Sequence, residues 1–454
     1  MLKSVNPYDG KEIKSYQENT VHEMNLIIEE AHEAFLKWRE TGFAFRKERM
    51  KAAASVLRNN KEKYAAIMTE EMGKPISQAI AEVEKCAWVC DYYADGAETF
   101  LKDEKIKTEA SKSYVAYNPL GVILAVMPWN FPFWQVFRFA APNLMAGNAG
   151  VLKHSSNVTG CALAIEEVFR LAEFPQNLFR SIVIRSGKMG SVINNPLVKG
   201  ITLTGSTPAG KAVAASAGKA LKKTVLELGG SDPYIILEDA DVKKAAQICA
   251  NARLLNGGQS CIAAKRFIVP EKIHDSFVKY FVKECKSKEM GDPKKTKTEI
   301  GPQARFELRD ELHQQVLKSE SAGAKIVLGG SIPRGNGAFY PPTVLINVKK
   351  GMPAYDEELF GPVAAIIKVK DVDEAVKVAN DSSFGLGAAV FTDDLAKGEQ
   401  IAKYRLEAGC CFVNDFVKSD PRLPFGGIKE SGYGRELSPF GIKEFVNIKT
   451  VVVK

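Results

Sequence analysis

Gly121-Val-Ile-Leu-Ala-Val-Met-Pro-Trp-Asn-Phe-Pro132 is a short apolar run closed by a turn. A continuous apolar run without polar alternation reads as a strand buried on both faces, and Pro128 ends it. Downstream the pattern recurs at Ser181 to Ile184, Gly200 to Thr204 and Thr224 to Leu226. Ala-rich helical segments lie between, from Cys161 to Ala172 and from Gly210 to Ala220. This alternation implies a parallel sheet with helices on both faces. A second alternating block starts at Asp232, with strands at Tyr234–Leu237, Phe267–Val269, Ala364–Val369, Ala388–Phe391 and Cys411–Val413. Two α/β units in tandem leave a cleft between them, a favoured place for a ligand. Upstream, the first hundred residues read as helices. Thr20 caps a run through Glu40, a second stretch runs from Arg46 to Met72 and stops at Gly73-Lys-Pro75, and a third covers Ile76 to Leu101. The chain closes on Thr450-Val-Val-Val453, an apolar run that would make a poor exposed edge.

The totals exclude several classes. With 45% apolar and 26% charged residues in 454, core burial is not in doubt. The net charge is 62 − 54 = +8, with the basic residues spread along the chain, so no nucleic-acid face is expected. The eight cysteines (Cys86, Cys90, Cys161, Cys249, Cys261, Cys285, Cys410, Cys411) form no CxxC pair, and the five histidines are scattered, so no metal site is expected. Reduced thiols in a cytoplasmic protein suit this usage, and no segment is apolar for long enough to span a membrane.

Four places could carry chemistry. Asn256-Gly-Gly-Gln-Ser-Cys261 puts a thiol directly after two glycines that let backbone approach a ligand. Ile262 to Lys265 could start a helix that lowers the thiol pKa, or lie inside a turn. Glu227 interrupts an apolar strand before two glycines, as a structural pair or as a base held in an apolar site. Asn130 follows the buried strand, where its amide can donate to an oxyanion or simply close a turn. Thr204-Gly205-Ser206 opens an Ala-rich helix, a cradle suited to phosphate.

Taken together, Asn130, Gly205, Glu227 and Cys261 resemble the aldehyde dehydrogenase superfamily over nearly the whole chain. The blocks that carry the resemblance are PWNFP (128–132), GSTPAG (205–210), LELGGSDP (226–233), GGQSC (257–261), EELFGPV (357–363) and PFGGIKESGYGRE (424–436). The resemblance implies an α/β fold of two doubly wound parallel-sheet domains plus a small β bridging element. Residues 1–105 and 121–228 would bind cofactor, 229–431 would carry catalysis, and 106–120 with 432–454 would bridge subunits of a homodimer or homotetramer. It implies that Cys261 attacks the aldehyde, that Asn130 and the Cys261 N–H hold the oxyanion, and that Glu227 activates the water that releases the thioester. Trp129, Lys153, Ser156, Gly205, Ser206, Leu228, Glu358 and Phe360 would bind NADP or NAD. Relatives selective for NAD often carry Glu at position 156. Ser156 here leaves a 2′-phosphate unrepelled, so NADP is expected to be preferred.

The stretches Trp134-Gln-Val-Phe-Arg138 and Val413-Asn-Asp-Phe-Val-Lys-Ser419 resemble short bacterial succinate-semialdehyde dehydrogenases. In that group Arg138 and Ser419, beside Trp134, would bind the substrate's distal carboxylate; the other reading pairs Arg138 with an internal acid. Two departures stand out. Leu255 replaces a second carboxylate-binding arginine of some relatives, and Ala263 removes a vicinal disulfide partner for Cys261. Other semialdehyde or broad-specificity activity, a CoA-acylating enzyme and an inactive binding protein are the competing readings.

Overall fold

The computed structural model describes residues 1–454. Strands Val122–Met127, Ala149–His154, Phe179–Ser181, Val198–Thr204 and Lys223–Glu227 form one parallel sheet, edged by an antiparallel strand, Gly432–Tyr433. Numbered along the chain, the five parallel strands lie in the order 3-2-1-4-5, so the winding reverses between Val122–Met127 and Val198–Thr204. A doubly wound sheet opens its ligand crevice at the carboxyl ends of the strands flanking such a reversal.

The second sheet takes strands Pro233–Ile236, Arg266–Pro270, Thr343–Ile346, Val363–Val369, Gly387–Phe391 and Cys410–Val413 in parallel, with Lys325–Leu328 antiparallel at one edge. Both its faces are covered. Ile235 packs into one apolar layer while its neighbours Tyr234 and Ile236 pack into the other. That two-sided burial explains why these strands read as unbroken apolar runs. A third, antiparallel sheet joins Glu104–Lys105, Lys112–Pro119 and Val446–Val453, the last two paired over their full length. The apolar tail thus has one neighbour, and its other side is an open edge on which Ile448, Val452 and Val453 are exposed.

Several sequence expectations need correction. The opening hundred residues also contain a hairpin-like pair, Leu2–Val5 with Glu12–Tyr16. The stretch from Arg46 to Met72 is two helices, Phe43–Asn59 and Lys61–Met72, because the Asn60 side chain donates to the Val56 carbonyl and ends the first. The strand expected at Ser181–Ile184 ends at Ser181. Thr20 does cap its helix, through a reciprocal box with Glu23.

One helix matters most for the site. Trp134–Ala146 is buried along its whole length. Its first turn is capped from outside: Glu82 Oε1 accepts from the Phe133 and Trp134 N–H groups at 2.9 Å each. A carboxylate there complements the helix dipole. Glu82 is in turn ion-paired with the buried Lys74.

Candidate active site

The carboxyl ends of the first sheet face the amino ends of the second. Pro128–Asn130, Gly205–Ser206 and Leu228–Gly229 follow first-sheet strands, while Cys261 and Glu358–Phe360 precede second-sheet strands. Two cavities meet there, both lined by Cys261 and Gln135. One, of about 330 Å³, is lined by Trp129, Asn130, Gly205, Ser206, Leu228, Glu358 and Phe360. The other, of about 210 Å³, is lined by Lys85, Trp134, Arg138, Leu255, Phe416 and Ser419. A larger depression of about 580 Å³ over Leu163 to Arg180 contains none of the expected site residues.

The cysteine loop is held by a dense set of hydrogen bonds. Asn256, Gly257 and Gly258 are all left-handed, at φ 54°, 61° and 74°. A side chain at 258 would also collide with the Gly361 carbonyl, so only glycine fits. Asn256 Nδ2 donates to the carbonyls of Asn130 (2.8 Å) and Gln259 (3.1 Å). Asn130 Nδ2 donates to the same Gln259 carbonyl (3.1 Å), and its Oδ1 accepts from Gln135 Nε2 (3.1 Å). One amide hydrogen of Asn130 is thereby left for a ligand. The fully buried Lys265 donates to the carbonyls of Ser260 (2.8 Å) and Cys261 (2.7 Å) and sits 3.2 Å from Glu358. It clamps the loop to the residue expected at the nicotinamide ribose.

Residues after Cys261 form a turn, not a helix, so no helix dipole acts on the sulfur. Burial pushes the Cys261 thiol up to about 12, against the opposing pull of Lys265 and Arg138. The resting sulfur is a thiol, and its reaction needs a proton acceptor.

Glu227 ends its strand and is buried, but it lines neither cavity. Its carboxylate lies against Gly426, and neither oxygen has a hydrogen-bond donor. Burial and then Glu436 hold its pKa well above the usual carboxylate range; Arg138 and Arg435 pull it down. Unpaired and held toward neutrality, it fits a proton-transfer group better than a structural ion pair.

Arg138 does have an internal acid. Its Nε faces the Glu436 carboxylate, and both side chains are buried. Nη2 donates to Thr204 Oγ1 at 3.3 Å, and the guanidinium lies 4.7 Å from the Phe425 ring centre. The same side chain still walls the smaller cavity. Ser419 and Trp134 reach that cavity together with Lys85, whose Nζ donates to Ser419 Oγ at 2.8 Å and lies 4.3 Å from the Trp134 ring centre.

On the other side, Trp129 meets Phe360 edge to face at 5.7 Å. Ser206 is the exposed N-cap of the helix Thr207–Lys219, and its hydroxyl caps nothing. Lys153 and Ser156 lie one strand over; Lys153 is in register with Val126, and Val126 with Leu203. Lys153 is a buried ammonium with no carboxylate partner, and burial lowers its pKa. An anionic cofactor group would suit it. Residues 154–157 offer no acid, and His154, pushed down to about 4 by burial, accepts from the Ser155 N–H at Nδ1 (3.0 Å) and donates from Nε2 to the Pro132 carbonyl (2.9 Å). No cluster of His, Cys, Asp or Glu is arranged to hold a metal.

Sequence reasoning missed Lys85, Lys265 and Glu436. Glu436 was visible within the 424–436 block, and Lys265 lies four residues beyond the nucleophile. Nothing in the sequence around Lys85 sets it apart from other helix-surface lysines.

The chain is similar over nearly its whole length to several named enzymes. The succinate-semialdehyde dehydrogenase 1 of Mycobacterium tuberculosis, named for NADP(+), is 47% identical over 453 residues, spanning 99% of each chain. The Escherichia coli succinate semialdehyde dehydrogenase Sad, named for NAD(P)+, is 46% identical over 448 residues, covering 99% of this chain and 97% of its own. The crystal structure of the Streptococcus pyogenes succinic semialdehyde dehydrogenase with NADP+ superposes with a TM-score of 0.97 at 38% identity, covering all of both chains. The family model described as the aldehyde dehydrogenase family matches residues 1–451. With that match over almost every residue, and with relatives 46% and 47% identical over 99% of its length, the chain belongs to the aldehyde dehydrogenase family.

Proposed function

We propose that the protein oxidises succinate semialdehyde to succinate, with NADP preferred and NAD accepted. The observation that carries the substrate is the smaller cavity: beyond Cys261 it ends among Lys85, Arg138 and Ser419, a cationic and hydroxylic end that fits an aldehyde bearing a distal carboxylate. The similar proteins named above act on such an aldehyde. Trp129, Gly205, Ser206, Leu228, Glu358 and Phe360 would hold the nicotinamide and pyrophosphate portions of the cofactor. Lys153 would meet the adenosine ribose beside an uncharged Ser156. When bound, the cofactor supplies the acceptor for the hydride.

The chain's own residues do the rest. The Cys261 thiol passes its proton to water at the cavity mouth as the sulfur adds to the carbonyl carbon. The oxyanion that forms is held by the free amide hydrogen of Asn130 and by the Cys261 N–H; two fixed donors in a site with little water stabilise charge far better than solvent. After oxidation the acyl group remains on Cys261 as a thioester. Glu227 turns about its side-chain bonds toward the sulfur and takes a proton from the attacking water. No hydrogen bond ties its carboxylate against that rotation. A hydrolytic base argues for water over coenzyme A as acceptor. The three-stranded sheet, with its open edge at Val446–Val453, serves in this reading to join subunits, and the boundaries given above divide the remainder into cofactor and catalytic domains.

The test is a panel of succinate semialdehyde, glutarate semialdehyde, butanal and glycolaldehyde with each cofactor. The expected outcome is the highest kcat/KM for succinate semialdehyde with NADP. A preference for butanal would overturn the substrate, and a large NAD preference the cofactor.

A further inference from the structure

Four cationic side chains line the cavity beyond Cys261: Lys74, Lys85, Arg138 and Lys418. Three are already matched by carboxylates. Lys74 pairs with Glu82, Arg138 with Glu436, and Lys418 with Asp415 at 2.6 Å. Lys85 has no carboxylate within ion-pair distance. Its contacts are the Ser419 hydroxyl and the Trp134 face, which leave ammonium hydrogens unused.

We infer that Lys85 supplies a further positive charge, the one that no protein carboxylate neutralises, for selecting the substrate's distal carboxylate beside Arg138, with Ser419 as its hydrogen-bonded partner and Trp134 as the wall beneath. Arg138 walls the pocket and holds Glu436. This rests on the carboxylate-aldehyde reading given above.

The electrostatics favour it. A matched ion pair presents little net charge to a ligand, whereas an unmatched cation in a low-dielectric pocket attracts an anion strongly. The groups that act on the Lys85 ammonium are few. Burial and Arg138 push it down to about 8; Cys86, Glu82 and Asp420 act the other way from outside ion-pair range. An ammonium destabilised in the free enzyme gains most when a carboxylate arrives. The hydroxyl matters too. Ser419 Oγ accepts from Lys85, so its own hydrogen is free to point at a second carboxylate oxygen. The unmatched charge on Lys85 also accounts for the tolerance of Leu255 where some relatives keep a second arginine: it comes from another helix, Ile76–Phe100.

The test compares kcat/KM for succinate semialdehyde with that for butanal, which has the same carbon number and no carboxylate. In Lys85→Met the ratio should fall about thirtyfold or more relative to the parent enzyme, chiefly through KM for the acid aldehyde. Lys85→Arg should restore most of it. The ratio, not the absolute rate, is read, so a general loss of folded enzyme cancels. In the parent enzyme the ratio should fall as pH rises above about 8, where the free amine loses its charge, and Lys85→Arg should hold it level. If the parent prefers succinate semialdehyde and Lys85→Met keeps that preference, the role of Lys85 is overturned while the substrate reading stands. If the parent shows no preference, the substrate reading fails and this inference falls with it.

Discussion

Replacing Arg138 and Glu436 separately and together, as Arg138→Met, Glu436→Gln and the double variant, tests the buried pair at the back of the site. The two side chains are 3% and 6% exposed, so neither charge is screened by solvent. Arg138→Met leaves the Glu436 carboxylate without its cation. Glu436→Gln leaves the guanidinium with a 3.3 Å bond to Thr204 and the Phe425 ring. Breaking a buried pair from one side costs about 3–5 kcal/mol, because a bare charge is stranded, whereas replacing both members with neutral groups of similar volume costs about 0–2 kcal/mol. Two single losses adding to about 6–10 kcal/mol against so small a double loss require a coupling of about 4 kcal/mol or more. Denaturant unfolding followed at the cofactor half measures it. A second readout is available because Glu436 raises the pKa of Glu227 and Arg138 lowers it. The acid limb of thioester hydrolysis should therefore move to lower pH in Glu436→Gln and to higher pH in Arg138→Met. Losses that add to within about 0.5 kcal/mol, or acid limbs that shift the same way, would refute the pairing.

Asn130→Ala removes one of two oxyanion donors and should lower kcat by about 10²–10³, with little change in NADP affinity by fluorescence titration; a loss below about tenfold would remove Asn130 from that role. Glu227→Gln should give one equivalent of NADPH per site and then stall, with the acyl group on Cys261 visible by mass spectrometry. Continued turnover at the parent rate would mean that another group activates the water. Because burial pushes the Cys261 thiol up to about 12, its alkylation by iodoacetamide in cofactor-free enzyme should climb about tenfold per pH unit from 7 to 10 with no plateau. Lys265→Met removes a cation that favours the thiolate and should slow the reaction further. A plateau below pH 9 at the Cys261 peptide would show that the sulfur is activated in the free enzyme.

The parts of the fold legible in the sequence are those whose residues face the same environment all round. Val122–Met127 and Val363–Val369 are sheathed on both faces and read as strands at once. Ala149–His154 is equally buried but does not announce itself as a strand, because it carries Lys153 and His154, whose polar atoms are accommodated only by the folded neighbourhood. Leu2–Val5 and Glu12–Tyr16 pair mainly with each other at the surface, so no apolar run announced them. The helix break at Asn60 was hidden because it contains neither glycine nor proline. In the site, Cys261 and Asn130 were legible from the turn residues beside them. Their supports were not. The Arg138–Glu436 contact spans nearly 300 residues of sequence, and the lack of an ion-pairing acid for Lys85 depends on which side chains the neighbouring elements bring near it.

The short strand Gly432–Tyr433 pairs with Leu226 and Glu227 at the edge of the first sheet. During synthesis the edge of the first sheet therefore stays without its partner until a strand leaves the ribosome about two hundred residues after Glu227. In that interval Cys261 has emerged, but the segment that buries the base and neutralises Arg138 has not. A nascent chain halted between Cys261 and Glu436 would carry that thiol without the assembled machinery to turn over an acyl group. Competence for the reaction thus arrives late in synthesis, set by the topology itself.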